Sequence, residues 1–104
     1  MLVDDRAQSQ SEHVAIILRA VNGTRFIGSA TAGANGEGSN FRVPGGIFVG
    51  MTGVGVSHPD GSQLQRIGVL PDVAVQPTID GIRAGRDEVL ERAVRYLEEV
   101  TVKN

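Results

Sequence analysis

Cysteine and tryptophan are absent from this 104-residue chain, and lysine occurs once, as Lys103. Without cysteine there is no disulfide, no thiolate nucleophile and no sulfur-bound metal, while the redox compartment stays open. Three Phe and one Tyr offer few stacking platforms, and a net charge of −2 gives no basic field, so nucleic acid is not an expected partner. No apolar run approaches a membrane span, so membrane insertion is not expected. The opening Met1-Leu2-Val3-Asp4-Asp5 lacks the basic and apolar segments of a signal peptide. The two histidines, His13 and His58, have no cysteine beside them and make no credible zinc site, so neither a metal nor a cofactor is expected.

What is there is an ordinary soluble composition, 40% hydrophobic and 21% charged, enough for one domain over residues 1–104 with a modest core. Met1 to Val3 read as the tail of an apolar strand. Ser9 and Glu12 have the Ser-x-x-Glu spacing of a capping box, and Val14, Ile17, Leu18 and Val21 follow at helical spacing up to Asn22-Gly23. A short strand over Thr24 to Ile27 runs into Gly28 to Gly38, too rich in small residues for regular structure and therefore a loop. Asn40 to Arg66, punctuated by Pro44-Gly45-Gly46 and Pro59-Asp60-Gly61, reads as a hairpin, and Asp72 to Val75 as a short extended piece between Pro71 and Pro77. A final helix begins near Asp87, with Val89, Leu90, Ala93, Val94 and Leu97 as a stripe expected to pack on the sheet.

Gly28 to Asn35 has the glycine spacing of a phosphate-binding loop, but Ala34 and Asn35 stand where lysine and Ser/Thr are required, so no nucleotide is expected. Asn22-Gly23-Thr24 fits a glycosylation acceptor too short to carry weight. Ser9 has two readings that the local sequence does not separate. Spacing alone favours a helix N-cap, but a hydroxyl at a helix start also lies beside unpaired N–H groups that stabilise an oxyanion.

The residues then become recognisable as an ordered set. Leu2 to His13, Gly28-Ser29-Ala30-Thr31-Ala32-Gly33, Pro44-Gly45-Gly46, His58-Pro59-Asp60-Gly61, Gly68-Val69-Leu70-Pro71-Asp72-Val73 and Gly81 to Leu90 together resemble the carboxyl-terminal processing (tail-specific) serine proteases. The resemblance covers nearly the whole chain. It implies an α/β (α+β mixed) fold, part of a crotonase/ClpP-like core: an N-terminal strand–helix unit, a glycine-rich hairpin region and a C-terminal helix. It also implies that Ser9 is the nucleophile, that the backbone N–H of Gln10 is an oxyanion donor, and that the glycine-rich loop borders the start of the Ser9 helix.

Two departures bear on the base. The general-base lysine of one branch is matched by Ala34, and the only lysine, Lys103, is at the far end. The glutamate of the lysine-lacking, tricorn-like branch is matched by Gln65, whose neutral amide orients by hydrogen bonding without supplying charge. That branch takes its histidine from upstream. His13, one helical turn after Ser9, is a weaker substitute because it sits on the helix flank.

The expected function is thus a serine peptidase segment that cleaves protein tails through an acyl-enzyme at Ser9, incomplete and inactive alone. A polypeptide is its expected substrate, and either a homo-oligomer or the rest of the core its completion. A periplasmic or secreted parent is implied by the resemblance. The alternative is a non-catalytic binding or assembly module in which Ser9 only caps a helix, and acyl-CoA chemistry is a third reading resting on fold analogy alone.

Overall fold

The computed structural model describes residues 1–102, so Lys103 lies outside the described residues. Three very short parallel strands form the central sheet: β1 (Leu2–Val3), β2 (Ile27–Gly28) and β5 (Val73–Ala74), in the order β1-β2-β5. Leu2 pairs with Ile27 and Ile27 with Val73. Helix α1 (Gln10–Asn22) follows β1 and ends at Gly23 in the left-handed conformation, whose N–H caps the Arg19 and Leu18 carbonyls. The chain is mixed α/β, as expected.

The core is small. Val3, Ala15, Phe26, Leu64 and Val69 form one buried cluster, joined by the half-buried Ile16 and Val56. Helix α1 turns Glu12 and Ala15 inward, while Val14, Ile17 and Val21 of the apolar pattern remain exposed. The Asp72 carboxylate clasps this core from outside. It accepts from the Phe26 N–H at 2.7 Å, from Arg19 at 3.0 Å and from Arg25 at 2.9 Å. Burial pushes its pKa up, but the Phe26 N–H and the two guanidiniums outweigh this and hold it below the ordinary carboxylate value. Arg19 also lies over the Phe26 ring, 4.5 Å from its centroid, and donates to the Leu70 carbonyl at 2.8 Å.

The hairpin is longer at its start and shorter at its end than the pattern predicts. Strands β3 (Gly36–Val43) and β4 (Ile47–Gly55) pair antiparallel across the Pro44-Gly45-Gly46 turn, so the ladder recruits Gly36 to Gly38 from the expected loop. Between Gly55 and Arg66 a single bridge among the described residues, Ser57 to Gln63, closes round the Pro59-Asp60-Gly61 turn. The expected Thr24–Ile27 strand is reduced to Ile27–Gly28, since Asp72 and Val73 reach the neighbouring backbone only at Phe26 and beyond. A short helix, α2 (Ile79–Arg83), was not legible in the sequence. It is capped by Thr78, whose side chain accepts from the Gly81 N–H at 2.9 Å.

Helix α3 (Glu88–Thr101) corrects a specific expectation. It is capped by Asp87 and meets β1 and β2, with Val89, Ala93 and Tyr96 half-buried. Leu90, Val94 and Leu97 of the predicted stripe are instead 50%, 47% and 61% exposed. The stripe marks a face suited to burial, but contact with these two strands is made along a neighbouring line of the helix.

Candidate active site

The turn that presents Ser9 is built from backbone closure on both sides. After β1 the Ala7 N–H returns to the Asp4 carbonyl at 3.1 Å, and Asp4 also accepts the Arg6 N–H at 3.0 Å. Residues 7–9 then run beside residues 32–34: the Ala32 N–H donates to the Ala7 carbonyl at 2.9 Å, and the Ser9 N–H to the Ala34 carbonyl at 2.9 Å. The glycine-rich loop therefore borders the helix start, as the resemblance implies, with Ala34 in backbone contact with Ser9.

Ser9 itself has φ 53° and ψ −116°. An ordinary N-cap adopts extended backbone, and a non-glycine residue in this region costs on the order of 1–3 kcal/mol. Such strain at a strand-to-helix junction is how hydrolases lift a nucleophile clear of the backbone. Ser9 is exposed, and no histidine or carboxylate hydrogen-bonds its Oγ among the described residues.

The strain is held by Glu12, which is fully buried. Its carboxylate accepts from Thr31 Oγ1 at 2.6 Å, the Gly33 N–H at 2.7 Å, the Ala34 N–H at 3.0 Å and the Ser9 N–H at 3.2 Å. Thr31 Oγ1 in turn accepts the Val69 N–H at 2.7 Å. One carboxylate thus ties the Ser9 turn, the glycine-rich loop and the Gly68-Val69 segment together. Close backbone approach is part of the arrangement. A Cβ on Gly33, at φ 66°, would meet the Ile67 nitrogen at 2.7 Å, and one on Gly68, at φ 82°, would meet the Thr31 carbonyl oxygen at 2.4 Å.

Gln10 is the first helical residue, and its N–H has no acceptor among the described residues. The neighbouring Ser11 and Glu12 N–H groups are taken by the Gln8 and Ser9 carbonyls at 3.1 and 3.0 Å. This leaves one backbone donor open beside Ser9, as an oxyanion site requires. Gln65 is drawn to the same region by its neighbour: Arg66, at φ 69°, donates its N–H to the Gly33 carbonyl at 2.7 Å. The Gln65 side chain is exposed and makes no hydrogen bond among the described residues, while its carbonyl accepts from Gln63 at 2.7 Å. His13 makes no side-chain bond to Ser9; only its N–H reaches the Ser9 carbonyl, at 3.1 Å.

Two residues that hold the Ser9 turn, Glu12 and Thr31, are not among the site residues the sequence points to. The capping-box spacing of Glu12 does not by itself announce a buried carboxylate. Thr31 was one small residue among many. Asn35 is buried next to Ala34 with its Nδ2 unpaired among the described residues. Two surface grooves, of about 550 and 660 Å³, are not lined by Ser9. The first lies between the β1 end and α3, and the second beside Arg19, His58 and Gly68.

The chain has the fold of several solved peptidases. A candidate peptidase from Parabacteroides merdae ATCC 43184 superposes with a TM-score of 0.79 at 25% identity, over 92% of this chain and 30% of that one. Mature CPAF complexed with lactacystin gives 0.83 at 23% identity over 99% of this chain and 20% of the other. The tricorn protease gives 0.81 at 19% identity, over 99% and 10%. The chain therefore spans under a third of the length of each of these structures. No curated protein matches it. The family model of peptidase family S41 matches residues 1–75, which include the Ser9 turn, the glycine-rich loop, Gln65 and the Gly68 to Asp72 segment. By that match this chain belongs to peptidase family S41.

Proposed function

We propose that the chain carries the nucleophile half of a serine peptidase site, with Ser9 forming the acyl-enzyme on a polypeptide substrate. The single observation that carries the reading is the strained Ser9 backbone, φ 53° and ψ −116°, at the start of α1. In the reaction Ser9 Oγ attacks the scissile carbonyl carbon as a base takes its proton, the N–H of Gln10 receives the developing oxyanion, and the peptide C–N bond breaks as the base hands that proton to the leaving amine. Water then hydrolyses the ester. The base that takes the Ser9 proton comes from outside the described residues, in the manner of the tricorn-like branch, and Gln65 orients it or a water by hydrogen bonding. Cleavage of protein tails and a crotonase-like core are part of the same proposal.

The reading makes the chain alone a non-turning-over half-site. A serine hydroxyl without a base is a weak nucleophile, and loss of one oxyanion donor costs about a hundred- to a thousand-fold in rate. The test is labelling of the full-length parent protein, in which the base is present, by a fluorophosphonate with mapping of the modified serine. Modification at Ser9 in preference to Ser11, Ser29 and Ser62, lost in Ser9→Ala, supports the proposal. Labelling scattered over the serines without preference returns Ser9 to a helix cap and the chain to a non-catalytic module.

A further inference from the structure

Gln65 and Ser9 stand on different segments, and a chain of internal hydrogen bonds through Thr31 joins them. Thr31 is 5% exposed and Glu12 fully buried. Thr31 Oγ1 donates to Glu12 Oε1 at 2.6 Å and accepts the Val69 N–H at 2.7 Å, while the Thr31 N–H donates to the Val69 carbonyl at 3.2 Å. Between a carboxylate and an N–H the side chain must accept and donate at once, and a hydroxyl does so in the least space. On the other side of Glu12, Oε2 accepts the Ala34 N–H at 3.0 Å and the Ser9 N–H at 3.2 Å. On the other side of Val69 the backbone turns back, with the Ile67 and Gly68 N–H groups donating to the Leu64 carbonyl at 3.0 and 2.8 Å. Gln65 lies within that turn. The turn is seated closely on the loop: a Cβ on Gly68 would meet Thr31 Oγ1 at 2.7 Å. Thr31 and Glu12 are enclosed by this chain itself, so their contacts do not depend on what covers its outer faces.

We infer that Thr31 is a positioning residue of the peptidase site, whose hydroxyl, anchored on Glu12, sets the Gln65 turn in place relative to Ser9. The inference takes the peptidase reading as its premise. Two tethers hold the turn: the Arg66 N–H on the Gly33 carbonyl at 2.7 Å, with Arg66 at φ 69°, and the Thr31–Val69 pair. The Gln65 side chain makes no hydrogen bond among the described residues, so this backbone gives it its place. Without the hydroxyl, the Val69 end keeps one backbone bond and a buried N–H loses its acceptor, which favours a shift of the turn. The Ser9 turn meanwhile keeps the Gly33, Ala34 and Ser9 donors on Glu12. A misplacement of about 1 Å costs on the order of a hundredfold in rate.

The test uses the full-length parent protein and reads the rate constant for modification of Ser9 by excess fluorophosphonate, at a temperature where thermal melts show every variant folded. Lost stability alone lowers the extent of labelling and leaves the rate constant unmoved. Thr31→Val should slow labelling by about ten- to a hundredfold, and Thr31→Ser, which keeps the hydroxyl, should stay within about threefold of wild type. In a Gln65→Ala background Thr31→Val should cost less than about twofold more, because both changes act on one group. Should Thr31→Val not fold, Thr31→Cys, similar in size with a weak S–H donor, takes its place with the same expectation. An unchanged rate, a Thr31→Ser protein as slow as Thr31→Val, or full additivity with Gln65→Ala overturns the inference. An unlabelled Ser9 in the wild-type parent instead fails the peptidase reading. The placement of the turn is then decided by amide exchange at Arg66, which Thr31→Val should speed at least about tenfold and which, if unchanged, overturns the tether as well.

Discussion

Around Ser9 the polar groups are internal and closed upon one another, whereas along the β3–β4 hairpin and α3 the apolar groups face outward. Glu12 is fully buried and takes four donors, while Phe41, Ile47 and Leu97 are 48%, 61% and 61% exposed. The difference teaches that this site's geometry is held by hydrogen-bond closure over a very small core, with little help from the extended parts of the molecule. The radius of gyration, 17.8 Å against about 13 Å for a compact domain of this length, is the global expression of the same division. Substitutions in the two regions should therefore differ sharply in cost.

The largest effect is expected at the centre of the core. Phe26 and Leu64 are fully buried, and Phe26→Ala should cost about 3–5 kcal/mol in urea unfolding, enough to leave much of the chain unfolded. Phe48→Ala on the hairpin should cost less than about 0.5 kcal/mol beyond its cation–π partner Arg42. Equal losses at the two positions would erase the contrast.

Glu12→Gln comes next. The amide presents an N–H where the carboxylate accepted one, so the donors on one of its two oxygens lose their acceptor, at about 1–3 kcal/mol where they are buried. The sharper readout is the Ser9 turn: amide exchange at Gly33 and Ala34 should accelerate well beyond the change at α3. Unchanged protection at both residues would show that Glu12 does not hold the turn.

Much of this arrangement was written locally and could be read. Ser9 to Glu12 announces a helix start, and the ordered motifs place the glycine-rich loop beside it, where the Ser9 N–H indeed meets the Ala34 carbonyl. What could not be read is long-range. The burial of Glu12 depends on Thr31, Gly33 and Ala34 arriving some twenty residues later, and a capping-box spacing looks the same whether its glutamate is solvated or enclosed. The free N–H of Gln10 and the backbone strain at Ser9 are likewise properties of the assembled turn. The reach of the hairpin depended on a ladder that accepts Gly36 and Gly38 on an exposed arm, against their low strand propensity.

Acid should act mainly through the clasp at Asp72. Its folded pKa lies below the unfolded carboxylate value, so its contribution to stability is fully present above that unfolded value, about 3.9, and is lost as pH falls through the folded pKa. The urea midpoint should therefore drop across this acid range in the wild-type chain. Asp72→Asn should lower the midpoint near neutrality and flatten the drop, so that the two chains converge in acid. A constant gap between them at all pH values would mean that the carboxylate's charge is not what Arg19 and Arg25 answer.

The smallest effect is expected at Leu90, where the sequence pattern and the structure disagree most directly. A stripe of Leu90, Val94 and Leu97 predicts burial, and a buried leucine replaced by alanine costs about 2–5 kcal/mol. In the folded chain Leu90 is half exposed, and α3 leans on β1 and β2 with Val89, Ala93 and Tyr96 half-buried. Alanine is also the better helix former, by a few tenths of a kcal/mol. Leu90→Ala should accordingly change the urea midpoint by less than about 0.5 kcal/mol in dilute solution, while Val89→Ala costs more. A loss of 2 kcal/mol or more at Leu90, about that of a buried leucine, would put this face of α3 against a surface that the isolated fold does not provide. If that loss grew with protein concentration, the surface would belong to a second copy.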